Sequence, residues 1–499
     1  MDNDKFKMRI LAVFAIILLC IGVTIKELEN DTFYIIKLGE YIVSHGIDMK
    51  DHFSWISNLS YTYPHWLYDV ILYFIYFNFG LFGIYVSVIF LFIVLVLCIY
   101  FVNLKLTKND FMSCFVSIIS LICLGIGGFA TARAQLITAI LFLLEVFCLE
   151  RLVFSGNKKY VFFLALISLL VANLHATVWL FYFILYLPFI GQYVIYKIVN
   201  LNHKRFSFKK NNKLIIDHIS HFKMLVFSMI ISILMGFFSP SKVCFYYVFK
   251  IMQGNSQNYI VEHAPLIVIQ NPFFIIFILV VLFILIFSNT KIYLKELFMI
   301  GGLAFMSLFS ARHVNLFYII GGLYLSILCC RYFKTNHDHT LDILLHFIIH
   351  NKIFYFSLFF IVIVVSYFKF QNNWNCSYIN NELYPIEAVN FILNDDSLDL
   401  DTIHLYNNYN IGSYLLFRDI PVFIDSRCDL YLPEFNGFNY SIFDDAVNII
   451  YDYEEKFQFY GVTHVLVSNK DILCKLLLKD QNYNIIYQDK YFVLFEKGV

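Results

Sequence analysis

Three carboxylates, Glu27, Glu29 and Asp31, fall within five residues in KELENDTFYIIKLGEYIVSHG (26–46), where the first long apolar run of the chain ends. A carboxylate at that depth is placed to take a proton from a nucleophile working at the membrane surface, which is general-base chemistry. Asp31 is the first candidate and Glu29 the second. A roughly helical stripe of Phe33, Ile36 and Tyr41 follows, and an Asp at a helix start also serves as an N-cap. The two roles leave different signatures. A lost cap costs about 1 kcal/mol of stability, whereas lost general-base assistance costs about 10²–10⁴-fold in rate.

A second set of residues suits an anion. Arg133 in TARAQ and Arg312 in SARHVNLF are lone cations in apolar turns, away from the clusters of basic residues. A guanidinium fork matches phosphate oxygens bidentately. His313, directly after Arg312, and His65, just before residues 66–82, join the arginines as candidate phosphate ligands. His175, Glu262 and His263 come out on the same face. The plainer reading is that polar side chains gather at span ends because loops are wet. A third set lies in NNYNIGSYLLFRDIPVFIDSRCDLY (407–431). Asn408, Tyr414, Asp425 and Arg427 offer donors and acceptors to sugar hydroxyls, at the end of a strand where α/β folds bind ligands. An Asp–Arg surface turn is the alternative.

The elements that must position these residues follow from composition. Of 499 residues, 60% are hydrophobic and 14% charged, and mean hydropathy is +0.70. A soluble domain is about 25% charged, so the chain reads as a polytopic α-helical membrane protein. A formal net charge of zero suggests no nucleic-acid partner. Candidate spans fall at 8–25, 83–102, 111–130, 134–152, 160–174, 177–196, 222–239, 272–288, 295–310, 314–332 and 352–369, about eleven in all. Basic residues before the first run make it an uncleaved signal anchor. With the basic clusters at 5–9, 105–108, 151–159, 197–213, 291–295 and 331–334 on the cytoplasmic side, the spans alternate and the C-terminus lies outside. Residues 66–82 are a candidate twelfth span, but the charge rule favours an interfacial or re-entrant helix there. The chain divides into a membrane domain, 1–369, with a first external loop at 26–82, and an extracytoplasmic α/β domain, 370–499. In the latter, YPIEAVNFILND and DILCKLLLKD read as helices. TIHLYN, PVFID and THVLVS read as strands, and YNIIYQDKYFVLFEK as a closing hairpin. Seven of the 11 cysteines lie inside apolar runs as packing residues. Cys244, Cys376, Cys428 and Cys474 lie outside them, with a disulfide among them left open.

The stretches IKLGEYIVSHGIDMKDHFSW and YPHWLYDVILYFIYFNFGLFG, set after an Asp that follows the first span, resemble GT-C glycosyltransferases. These are polytopic enzymes that use polyprenyl-phosphate sugars, such as protein O-mannosyltransferases and the aminoarabinose transferases of lipid A. The likeness is closest to poorly characterised bacterial members. It rests on a D-x-x-x-x-x-x-x-G loop (Asp31 to Gly39), an H-W-L element (His65–Trp66–Leu67) and a late FIDSRCDLY segment (Phe423–Tyr431). The resemblance implies a multi-pass protein of the bacterial cell membrane that moves a sugar from a polyprenyl phosphate to a glycan, lipid or protein acceptor. It implies an acidic catalytic residue in the first external loop and a soluble external domain closing the chain. Many members carry an adjacent Asp-Glu pair in that loop. Here Asp31 is followed by Thr32, so Glu29 or Glu27 would supply the second carboxylate. A divalent metal would help at the phosphate, but no ligand spacing demands one. A transporter or flippase is the main rival, and would show inverted repeats and mid-span charges. A polysaccharide polymerase or ligase is the second, with its arginines in a large loop between spans, and a non-catalytic scaffold the third.

Overall fold

The structure is a computed structural model that describes residues 2–201, 213–251, 261–335 and 339–498. Most of the basic loop 197–213 therefore lies outside the described residues. Two compact units share the chain. The first is built from Met1–Ile25, Val86–Val248 and Asn255–Trp374, the second from Lys26–Tyr85 and Asn375–Val499 with a short piece at Phe249–Gly254. The first loop, which the sequence reading assigns to the membrane domain, thus groups with the C-terminal segment.

The first unit is helical. Its helices start where the apolar runs start, because a backbone in an apolar medium must satisfy its own hydrogen bonds. Helix α1, Asp2–Val23, lies along the late helix Lys352–Trp374. Asn373 Nδ2 donates to the Gly22 carbonyl at 2.8 Å, and Phe14 packs against Phe359 with ring centroids 4.9 Å apart. Gly22 allows this approach, since a Cβ there would sit 2.8 Å from the Ser366 carbonyl oxygen. Each of the eleven expected segments coincides with a helix or a helix with a break. By length and composition, five of the described helices can cross a bilayer: Asp4–Val23, Trp66–Thr107, Ala176–Leu201, Ala311–Thr335 and Lys352–Trp374. A sixth would be the pair Phe222–Phe238 and Pro240–Phe249, bent by 114°. Asp110–Ile126, Lys159–Leu174 and Pro272–Phe287 are apolar but 17, 16 and 16 residues long, short of the roughly 20 that 30 Å of hydrocarbon requires. Gln135–Ser155 has 21 residues but carries Glu145, Glu150 and Arg151.

The second unit contains α2, Asn30–His45, and the start of α3, Trp66–Thr107. The segment 66–82 is the first part of α3. Helical geometry fails at Gly80, whose φ of 61° and ψ of −157° join two helices across a kink. Where α2 meets α3, Gly39 lies against the Asp69 carbonyl and Tyr73, leaving no room for a Cβ. The C-terminal part of the unit holds a four-stranded sheet. Taking the short strands Leu214–Ile215 and Ile292–Tyr293 of the first unit as β1 and β2, its strands are β3 (Leu405–Asn407), β4 (His464–Ser468), β5 (Tyr483–Gln488) and β6 (Phe492–Lys497), in the order β3-β4-β6-β5. β3 and β4 are parallel, and β5 and β6 form the expected antiparallel hairpin. Helices Ile386–Asn394 and Ile472–Leu477 fall where the apolar spacing predicts them.

The expected strand PVFID does not form. Its backbone finds other partners. Val422 bridges Ser54 of the first loop, donating to the Phe53 carbonyl at 3.0 Å and accepting from Trp55 N at 3.2 Å. The Asn407 amide serves the next two residues, accepting from Phe423 N at 2.9 Å and donating to the Ile424 carbonyl at 2.6 Å. A buried side-chain amide thus replaces a neighbouring strand, and the backbone groups are paired as burial requires. None of the eleven cysteines is exposed, and Cys244, Cys428 and Cys474 are buried free thiols.

Gly412 in the helix Tyr409–Phe417 is where this arrangement is tightest. A Cβ there would collide with the Ile424 carbonyl oxygen and sit 2.8 Å from Asp425 Cα. Gly412→Ala is expected to destabilise the protein by about 1–3 kcal/mol through overpacking. Gly301→Ala, at a helical site with open space around it, is expected to be neutral or stabilising by up to about 1 kcal/mol. Thermal unfolding of both variants in detergent tests the contrast.

Candidate functional site

Within the first unit, the two arginines singled out from sequence converge on one dipeptide. Arg133 Nη1 lies 3.3 Å from Glu262 Oε1, and Arg312 Nη1 lies 2.6 Å from His263 Nε2. Residues 262–266 are held beside 308–311. Leu266 N donates to the Leu308 carbonyl at 3.3 Å, Ala311 N to the Ala264 carbonyl at 2.9 Å, and Ser310 Oγ to the Glu262 carbonyl at 3.2 Å. A guanidinium only donates, so His263 Nε2 accepts and the ring proton sits on Nδ1. Burial, reinforced by the Arg312 charge, pushes the His263 pKa down to about 4. The ring is therefore neutral at ordinary pH and orients Arg312 without adding charge. His313 packs its ring on Phe181 at 4.8 Å, and His175 shares a 2.9 Å hydrogen bond with Thr138. Glu262 and His263 are thus the immediate partners of the arginines. The sequence puts both on the same face as the arginines but does not pair them with these two side chains.

Within the second unit, the acidic segment leads into α2. Glu29 is the N-cap, with no side-chain capping bond, and Asp31 sits in the first turn. A carboxylate there is favoured by the positive end of the helix dipole. The segment is anchored by C-terminal residues. Leu28 N donates to the Tyr378 carbonyl at 2.9 Å, Asn30 Nδ2 to the Tyr409 carbonyl at 3.0 Å, and Asn380 Nδ2 to Glu27 Oε2 at 3.3 Å. One turn on, Phe33 is fully buried and packs edge-on against Tyr384 and Tyr414, at 5.1 and 5.4 Å. Tyr414 is accordingly a core side chain, and its hydroxyl accepts from Arg418 at 3.0 Å. Asn408 is half-buried at the N-cap of Tyr409–Phe417, and its Oδ1 is buried without a hydrogen bond. His65 Nδ1 stands 3.9 Å from Asp69 Oδ1, one turn along α3, and Asp69 is fully buried.

Asp425 and Arg427 are not on a surface turn. Arg427 is buried, with Nη2 2.6 Å and Nε 2.9 Å from the two Asp425 oxygens and Nη1 2.5 Å from Asp51. Tyr431 donates to Asp425 at 2.7 Å, and the guanidinium lies over Phe53 and Tyr61 at 5.4 and 4.9 Å. Burial alone would pull the Arg427 pKa down. The charges of Asp425 and Asp51 outweigh it and hold it well above the usual arginine value. Asp51, in the first loop, is the member of this triad that the sequence reading leaves out. Nearby, Asp48 accepts from His52 at 2.6 Å and from Tyr41 at 3.1 Å, and Tyr41 stacks between His45 and His52. Among the described residues no three His, Cys, Asp or Glu side chains converge to hold a metal ion.

No protein-family model and no curated protein matches the sequence. Solved structures do match in fold. The archaeal oligosaccharyltransferase AglB from Archaeoglobus fulgidus, in complex with an inhibitory peptide and a dolichol-phosphate, aligns over 95% of this chain and 70% of its own. Its TM-score is 0.58 at 12% identity. The oligosaccharyltransferase of the same organism, tethered to an acceptor peptide containing the NVT sequon, aligns over the same shares with a TM-score of 0.55 at 11% identity. At these identities the likeness is one of fold. The chain shares its overall architecture with these two oligosaccharyltransferase structures.

Arg427 supplies a direct check on the triad. Arg427→Ala would leave two carboxylates buried together, and removing one partner of a buried pair typically costs about 3–5 kcal/mol. The expected outcome is a large drop in the unfolding temperature, with protease cleavage appearing in residues 46–65 and 421–432.

Proposed function

We propose that this chain is a glycosyltransferase that moves a sugar from a polyprenyl-phosphate donor to an extracytoplasmic acceptor, which is a glycan, a lipid or a protein. The observation that supports it best is the fold likeness over 95% of the chain to an oligosaccharyltransferase captured with a dolichol-phosphate. The two arginines gathered on Glu262–His263 and the carboxylates opening α2 are the chemistry such a reaction needs. In the reaction the acceptor oxygen or nitrogen bonds to the anomeric carbon. The bond from that carbon to the phosphate oxygen breaks, and the prenyl phosphate leaves with the electron pair. Asp31 takes the acceptor's proton, with Glu29 as the second carboxylate. Arg133 and Arg312 bind the phosphate and offset the charge that grows on it as the bond breaks. His313 and His65 are further candidates for that role. Asn408 is the acceptor-binding candidate with an unused buried acceptor atom. Tyr414, Asp425 and Arg427, buried and bonded within the unit, would act on the acceptor only by shaping the surface around it. This reading puts the chain in the bacterial cell membrane, with residues 370–499 outside.

The test is transfer from a polyprenyl-phosphate sugar by the purified full chain. Asp31→Asn is expected to lower turnover by about 10²–10⁴-fold. Its unfolding temperature should hardly move, because the observed N-cap is Glu29 rather than Asp31. Glu29→Gln and Glu27→Gln are compared in parallel. A larger loss in either moves the base to that residue, and full activity in all three rejects an acidic base in the first loop.

A further inference from the structure

Arg133 and Arg312 are far apart in sequence, yet each is met by one of two consecutive residues. Those two residues are held by different means. Their backbone is fixed, with the Glu262 carbonyl bonded to Ser310 Oγ and the Ala264 carbonyl to Ala311 N. The Glu262 side chain, in contrast, is 55% exposed and touches Arg133 at a single 3.3 Å contact. His263 contributes a short, neutral hydrogen bond to Arg312. Of these two residues only Glu262 brings negative charge. It carries one unit, as does the phosphodiester of a prenyl-phosphate sugar. An exposed, single-contact ion pair is weak, whereas a guanidinium and a phosphate form charge-assisted bidentate bonds. A phosphate arriving at Arg133 would therefore win the guanidinium.

Resting on the donor-phosphate reading above, we propose that Glu262 is a displaceable internal ligand that occupies Arg133 until the donor phosphate takes its place, while His263 stays as the fixed residue that positions Arg312. The backbone anchors let the side chain leave without moving the loop. The same competition helps at the end of the reaction. The departing prenyl phosphate carries more negative charge than the donor and binds two arginines more tightly. A carboxylate tethered beside Arg133 returns to it and speeds release.

The test uses the full chain in lipid nanodiscs with geranylgeranyl phosphate as the probe, its Kd read at fixed ionic strength. Glu262→Gln is expected to tighten binding by up to about fivefold, the range for an exposed ion pair. Arg133→Gln should weaken binding, and adding Glu262→Gln to it should bring no recovery, because the two effects run through one contact. His263→Ala should weaken binding, and His263→Gln, which keeps an acceptor for Arg312, should restore much of it. Glu262→Ala serves in place of Glu262→Gln if the latter unfolds. Should Glu262→Gln bind as wild type or more weakly while Arg133→Gln still weakens binding, Glu262 is a permanent partner and the inference falls alone. If neither Arg133→Gln nor Arg312→Gln changes the Kd, the donor-phosphate reading fails and this inference with it.

Discussion

The guanidinium of Arg427 cannot shed its charge, and the second unit is arranged around that constraint. A buried cation is costly unless it is paired and its donors are satisfied. One carboxylate two residues away, Asp425, meets two of its nitrogens, and the third requires Asp51 from the first loop. The pairing therefore decides which piece of the early chain lies against 421–432. It agrees with the backbone exchange between 53–55 and 422, and with the Asn407 amide that completes it. The start of α2 is fixed by Tyr378, Tyr384 and Tyr409, and the Tyr409 hydroxyl in turn donates to the Ser426 carbonyl at 3.0 Å, next to Arg427. The candidate acid at Asp31 thus sits at the end of a chain of contacts that begins with a buried arginine.

Arg133 is the same side chain in the opposite circumstance. Its contact with Glu262 is longer, single and open to solvent, where charges are screened and ion pairs contribute little. The same pairing of guanidinium and carboxylate is buried in one place and part-exposed in the other. Burial makes the difference, and residue type alone does not reveal it. Arg427 in the sequence looks as available for binding as Arg133, and only the burial of its surroundings separates the two.

Much of the architecture was legible because it follows from local patterns. The apolar runs place the helices, the division between 66–82 and 83–102 falls close to the break at Gly80, and the alternation in 483–497 yields the hairpin. What escaped depends on distant partners. PVFID has strand composition, but its hydrogen bonds go to Ser54, Phe53, Trp55 and Asn407. Asp51 gives no sign in MKDHFSW that it will meet an arginine near the other end of the chain. Tyr414 reads as a polar handle, yet the ring is what matters, packed on Phe33. The number of spans follows less directly from the runs, for a different reason. Apolar runs report composition, while crossing a bilayer also needs unbroken helical length, and helices such as Lys159–Leu174 stop short of it.

The burial of the cysteines has a practical meaning. None is exposed, and where burial in apolar surroundings holds a thiol in its protonated form, as at Cys428, it is a poor nucleophile toward polar reagents. A single cysteine added at a wet position would stand out chemically against the eight buried ones. With only the half-buried Cys98, Cys329 and Cys376 replaced, the chain would suit site-selective attachment of spin labels, fluorophores or crosslinkers.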